Sequence, residues 1–225
     1  MMRAAVFVLA MTVASPQTRT VKQGAHRMEI TLERLENDSW RAVDPGLVLA
    51  QGDRVRFRYR TNFEAFLYVT NMGTSGKYEQ LFPREETGQD NRVEASREYH
   101  VPATSTAFRI AGPAGHDVVF WIVSPARLGD SVQRPPALPP PAPSAPKTLI
   151  PRCDDSILRA RGDCVDSSAG PKLIPRGEQI PETMAEAAGR GARDLVFMQE
   201  GKAAVISSPA PLAGPVIYEF RLAHK

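Results

Sequence analysis

Between residues 54 and 60 the chain reads Arg-Val-Arg-Phe-Arg-Tyr-Arg. Successive side chains of an extended strand point to opposite faces, so this run puts Val55, Phe57 and Tyr59 on one side and Arg54, Arg56, Arg58 and Arg60 on the other. A helix would mix the two sets around its circumference. The segment is therefore a β-strand with an apolar face turned to a core and a cationic face turned away from it.

The same period recurs elsewhere. Met28, Ile30 and Leu32 alternate with Glu29, Thr31 and Glu33, which predicts a second half-buried strand. Turns are marked by Asp44, Pro45 and Gly46, and again by Gln51, Gly52 and Asp53. The run Phe66, Leu67, Tyr68, Val69 is apolar on both faces, so it predicts a central strand covered on both sides. Gly73, Thr74, Ser75 and Gly76 turn it into a hairpin partner over residues 78–82, ended by Pro83. Tyr99 and Val101, then Phe108 and Ile110, mark further short strands. A turn at Gly112, Pro113, Ala114 and Gly115 leads to residues 118–123, which contain Phe120 and Trp121 and form the most buried strand expected in the chain. Short strands with turn signals at this spacing indicate an all-β fold: an antiparallel, immunoglobulin-like sandwich or a partly open barrel.

Flanking segments set the expected organisation. Arg3 followed by an apolar run over residues 4–14 and by small residues Ala14 and Ser15 predicts a signal peptide over 1–15, with a flexible leader over 16–27. The run is too short to span a bilayer, so no transmembrane anchor is expected after its removal, and the product is expected to be exported, periplasmic or extracellular. The β-sandwich is assigned to 28–130 and a proline-rich linker to 131–147. Residues 148–225 form a C-terminal segment in which Cys153 and Cys164 are expected to pair, because an oxidising compartment makes a local disulfide the default and no His lies near enough to complete a zinc site. Leu149, Ile150, Pro151 and Arg152 recur as Leu173, Ile174, Pro175 and Arg176, a short motif on both sides of the cystine loop. Residues 182–192 predict a short helix. Strands return over 194–198, 203–207 and 216–222; since such strands are not stable alone, they either form a small sheet of their own or dock on the first domain, of which docking is the expectation, with the Met28 strand as one place for it.

With 28 basic and 25 acidic residues the net charge of +3 gives no footprint for nucleic acid. No catalytic or cofactor constellation stands out: a nucleophile elbow is absent, Gly76 and Lys77 lack the preceding glycine of a phosphate loop, and His26, His100, His116 and His224 show no metal spacing. The carboxylate pairs Asp154/Asp155 and Glu85/Glu86 are where calcium would be considered. Phe63, Phe66, Tyr68 and Tyr78 either line a groove or, as large rings in small sandwiches usually do, fill the core. Arg161, Gly162 and Asp163 spell an integrin-type tripeptide that is expected by chance. The arginine row Arg54, Arg56, Arg58 and Arg60 is the candidate anion-binding face, since guanidinium forks match phosphate and carboxylate. The bland alternative is a solvated face balanced by Glu29 and Glu33.

The ordered set Gly52, Asp53, Val55, Phe57; Phe66, Leu67, Tyr68, Val69; Gly76, Leu81, Phe82, Pro83; Val101, Pro102; and Gly112, Pro113, Gly115 resembles the bacterial domain of unknown function 4384 over residues 45–125. The resemblance implies an accessory module attached to other domains, and it brings no catalytic residues with it. The expectation for function is a non-enzymatic exported module that binds a protein or envelope component. A secreted hydrolase with a site assembled from loops, and a structural spacer in an envelope assembly, are the alternatives.

Overall fold

Val55, Phe57 and Tyr59 are sealed from solvent while Arg56, Arg58 and Arg60 of the same strand remain partly open, as the alternation requires. The structure is a computed structural model that describes residues 26–128, 150–172 and 195–225. The expected signal peptide, all but the last two residues of the leader, the proline-rich linker, the 182–192 helix and most of the repeated four-residue motif lie outside the described residues. Within them the elements run β1 (His26–Glu36), β2 (Ser39–Ala42), β3 (Arg54–Thr61), β4 (Ala65–Met72), β5 (Tyr78–Phe82), β6 (Arg92–Val93), β7 (Glu98–Val101), β8 (Phe108–Arg109), β9 (Gly115–Ser124), α1 (Asp155–Arg161), β10 (Gly170–Lys172), β11 (Val196–Glu200), β12 (Ala203–Ser208) and β13 (Val216–His224).

These strands form two antiparallel sheets packed face to face, with no closed barrel. The first has the order β11-β12-β1-β3-β7, with β2 also on β1 and β8 also on β3. The second has the order β10-β13-β9-β4-β5, with β6 also on β4. The terminal strands do dock beside the Met28 strand: β12 pairs with β1 from His26↔Ser208 to Thr31↔Ala203. The last strand goes to the other sheet, where β13 pairs with β9 over its whole length, from Val216↔Val123 to His224↔Gly115.

Between the sheets lies one continuous core centred on Trp121, whose ring meets Phe57 edge-on at 5.2 Å and Tyr59 at 5.8 Å and stacks on Tyr218 at 6.4 Å. Phe57 and Tyr59 come from the first sheet, Trp121 and Tyr218 from the second, so these contacts lock the two together. Truncating a ring this deeply buried removes about 3–5 kcal/mol. Strand β4 is covered on both faces, as its composition predicts: Leu67 and Val69 point into the core, while Tyr68 joins Phe120, Ile122 and Ile217 in a second cluster on the other side. Tyr68 and the core residues answer the groove question for the aromatic set, with Phe63, Phe66 and Tyr78 packed against the same two clusters.

Strand β13 departs from a simple half-buried alternation. Its expected outer set, Ile217 and Glu219, is as buried as its inner set, Tyr218 and Phe220, and Ile217 packs with Tyr68, Phe120 and Ile122 in the cluster on the outer side of the second sheet. Glu219 tolerates this by holding Arg221 two residues on, through a hydrogen bond from Nε at 2.7 Å. Four further elements, β2, β6, β10 and α1, fall where the sequence shows no strand or helix pattern.

A fragment covering 26–128 lacks β10–β13 and leaves one long edge of β9 without its partner. Such a fragment is expected to show no cooperative thermal transition by circular dichroism, whereas the full chain shows one. A fragment that melts cooperatively would contradict the assignment of β12 and β13 to the same folded unit.

Candidate functional site

The outer face of β3 is occupied by ion pairs set by strand register. Glu33 lies opposite Arg56 and Glu29 opposite Arg60. The Glu33 carboxylate accepts from Arg56 Nε at 2.7 Å with one oxygen and from Arg58 Nε at 2.8 Å with the other. Arg58 also reaches Glu98 at 3.0 Å, and Glu29 holds Arg60 at 2.9 Å and Arg27 at 3.1 Å. Arg56 lies over the Trp40 ring at 4.4 Å. Burial holds the His100 imidazole below its ordinary value, helped by Arg56 and Arg58 and opposed by Glu33 and Glu98, so His100 adds no positive charge to the row at neutral pH. Arg56, Arg58 and Arg60 therefore each have a carboxylate of the same chain. Among the described residues Arg54 has none, and it faces Arg109 across β3 and β8.

Cys153 and Cys164 are disulfide-bonded, with their Cα atoms 4.7 Å apart. The cross-link closes a loop whose entropy contribution is roughly 3 kcal/mol on the chain-entropy account. Inside it lies α1. Asp154 is the N-cap, its side chain accepting from Ser156 N and Ile157 N, and Gly162 ends the helix at φ 74° with its N–H on Leu158 O. This gives Gly162 a physical role within the Arg161-Gly162-Asp163 tripeptide, and it turns the Asp154 carboxylate to the helix backbone. Glu86 of the other carboxylate pair faces Arg84 at 3.1 Å.

Backbone hydrogen bonds from Val48 N to Cys164 O and from Asp166 N to Gly46 O, each 2.8 Å, fasten the cystine segment to the turn that follows β2. Gly46 permits the approach: a Cβ there would sit 2.8 Å from Asp166 O. Asp166 is the second fastening. One carboxylate oxygen accepts from Arg152 N at 2.9 Å and faces His116 Nε2 at 3.3 Å; the other accepts from Ser168 N at 2.8 Å and Ser168 Oγ at 2.6 Å. His116 belongs to β9, so this cluster joins the cystine segment to the second sheet. Burial pushes the Asp166 carboxyl up, but the hydrogen bonds from Ser168 and Arg152 and the nearby His116 outweigh it and hold the group below the ordinary carboxylate range.

Ser168, His116 and Asp166 are the residue types of a nucleophilic triad, which needs serine on one imidazole nitrogen and the acid on the other. Here Ser168 Oγ, at 3.1 Å, and Asp166 share Nε2, and the serine hydroxyl also lies on the Asp166 carboxylate. The arrangement is a polar clamp. Sequence reading missed it because His116 is some fifty residues from Asp166 and Ser168 and meets them only through the fold.

Beside the clamp is a cleft of about 390 Å³ between the cystine segment and the edge of the first sheet. It is lined by Asp154, Ile157 and Val165 of the cystine segment, by Pro45 and Gly46 of the turn after β2, and by Phe197, Met198 and Gln199 of β11. Of the remaining histidines, His26 stacks on Phe63 at 4.2 Å and accepts from Leu212 N, and His224 is buried 3.4 Å from Asp117. Among the described residues no three His, Cys, Asp or Glu side chains gather as a metal site, and no helix is long and apolar enough to cross a membrane.

Residues 48–127 match the family described as Domain of unknown function (DUF4384). The matched stretch supplies β3 to β9; the strands that lie beside β3 and β9 in the two sheets, β1 and β13, come from outside it. No curated protein and no solved structure matches the chain.

Two outcomes check this geometry. Replacing Glu33 with Ala strips Arg56 and Arg58 of their shared carboxylate and is expected to cost roughly 1–3 kcal/mol in denaturant unfolding, more than Arg60→Ser, which removes one partly exposed pair worth at most about 1 kcal/mol; equal losses would contradict a central role for Glu33. Because the folded-state value of Asp166 is depressed, its contribution is present above the unfolded value of about 4 and is lost as pH falls through the folded value. Asp166→Ala is therefore expected to be less stable than the parent at pH about 7 and to approach it at pH about 2; a penalty independent of pH would sink the clamp.

Proposed function

We propose that this chain is an exported, non-enzymatic β-sandwich module that binds a partner protein or envelope component in the cleft between the cystine segment and β11. The observation that carries this reading is where the exposed large apolar side chains fall. Among the described residues they are Met72, Ile150, Leu158, Val196 and Met198, and all but Met72 belong to the cystine segment or to β11. Val196 is 51% exposed and Met198 44%. Met198 lines the cleft beside the partly buried Ile157 and Phe197, and Val196 lies two residues along the same strand; apolar side chains exposed in and next to a cleft mark an interaction site, because water contact there costs free energy that a partner relieves.

The backbone supports the same place. β11 ends the first sheet, and among the described residues no strand pairs with its outer edge. An exposed strand edge offers a row of amide and carbonyl groups to an extended segment of a partner, while pockets beside it select side chains. The disulfide supports export, since such bonds persist in oxidising compartments. The sharing of His116 Nε2 by Ser168 and Asp166 counts against a hydrolase built on that cluster.

The test is capture from envelope extracts by the full chain, by Met198→Asp and by Val196→Asp. The reading expects a specific partner held by the parent and reduced at least about tenfold by either change, with the melting temperature unaltered, since both sites are exposed. Equal capture by all three would overturn it. So would turnover of a generic ester, glycoside or peptide substrate that Ser168→Ala abolishes.

A further inference from the structure

Cross-strand register makes Arg54 and Arg109 direct neighbours, and both side chains are exposed. Like charges placed directly opposite in an antiparallel pair repel. Everywhere else on β3 the repulsion is answered by a carboxylate: Glu33 between Arg56 and Arg58, Glu29 beside Arg60. Neither Arg54 nor Arg109 has an ion-pair or side-chain hydrogen-bond partner among the described residues. The carboxylate nearest in sequence, Asp53, is committed to Ala50 N at 2.9 Å and to Arg34 at 3.5 Å.

The site is also open to a ligand. Gly52, at φ 91°, presents no side chain, and a Cβ built there would have Arg109 Nη2 at 3.8 Å as its nearest neighbour. The Arg109 guanidinium therefore lies over the bare backbone at the start of β3, beside the residue that carries the second guanidinium. Two such planar forks carried by directly opposite residues of paired strands fit a tetrahedral group with several acceptor oxygens. A phosphomonoester carries between one and two negative charges near neutral pH and balances both arginines, whereas a single carboxylate balances one.

We propose that Arg54 and Arg109 form a clamp for a phosphomonoester group. The clamp is independent of the β11 cleft: in the first sheet β12 and β1 lie between β11 and β3. Its ligand is either a soluble phosphate or the phosphomonoester head of a lipid. The full chain is titrated with inorganic phosphate by calorimetry, and is floated with phosphatidylcholine vesicles with and without phosphatidic acid. Binding in either arm is expected to fall at least about tenfold in Arg54→Ser/Arg109→Ser and to weaken as salt rises. Binding to vesicles alone assigns a lipid source; binding to both assigns the group itself. The serine variant loses only a repulsive pair, so its melting temperature is not expected to drop. Arg54→Lys/Arg109→Lys keeps the charge while removing the forks, and is expected to bind several-fold more weakly than the parent. Binding in neither arm, or unchanged binding by the serine variant, would overturn the proposal.

Discussion

A strand buried inside a sheet needs hydrogen-bond partners on both edges, and this requirement organises the whole molecule. β9, which carries Trp121 at the middle of the core, has β4 on one side and β13 on the other. β3, which carries Phe57 and Tyr59 opposite that tryptophan, has β7 and β8 on one side and β1 on the other. The partners β1 and β13 come from opposite ends of the described chain. Closure of the core therefore depends on strands far apart in sequence, and the stretch that matches the domain family is an inner portion of a larger sandwich.

Much of the surface chemistry follows from that register. Pairing β1 with β3 sets Glu33 against Arg56 and Glu29 against Arg60, which turns a row of like charges into a ladder of alternating sign. Pairing β8 with β3 sets Arg109 against Arg54 with no such compensation. The cystine segment is a separate addition, held by backbone bonds at Gly46 and Val48 and by the Asp166 clamp, and it builds the second wall of the cleft along β11.

Side-chain periodicity made β1, β3, β4 and β9 readable in advance, along with the hairpin at Gly73 and Gly76 and the disulfide. Each of these is stated locally, by alternation, by turn residues or by the only two cysteines. The double burial of β13 was not readable, because Glu219 and Arg221 present a polar face to the sequence and satisfy each other only in the sheet. α1 has seven residues, too few for apolar period to show, although Asp154 and Gly162 are its capping signals. The arginine row was readable as a row. Which arginine lacks a partner was not, since that depends on Arg109 arriving opposite Arg54 from more than fifty residues away. His116, Asp166 and Ser168 escaped notice for the same reason.

Hydrogen exchange of the full chain, resolved to single amides, tests the shared closure of the two sheets most directly. If β13 is an inner strand of the same cooperative unit, its amides between residues 216 and 223 exchange as slowly as those of β9, at the rate set by global unfolding. Rapid exchange along β13 while β9 stays protected would show that the core closes without it, and would contradict the account.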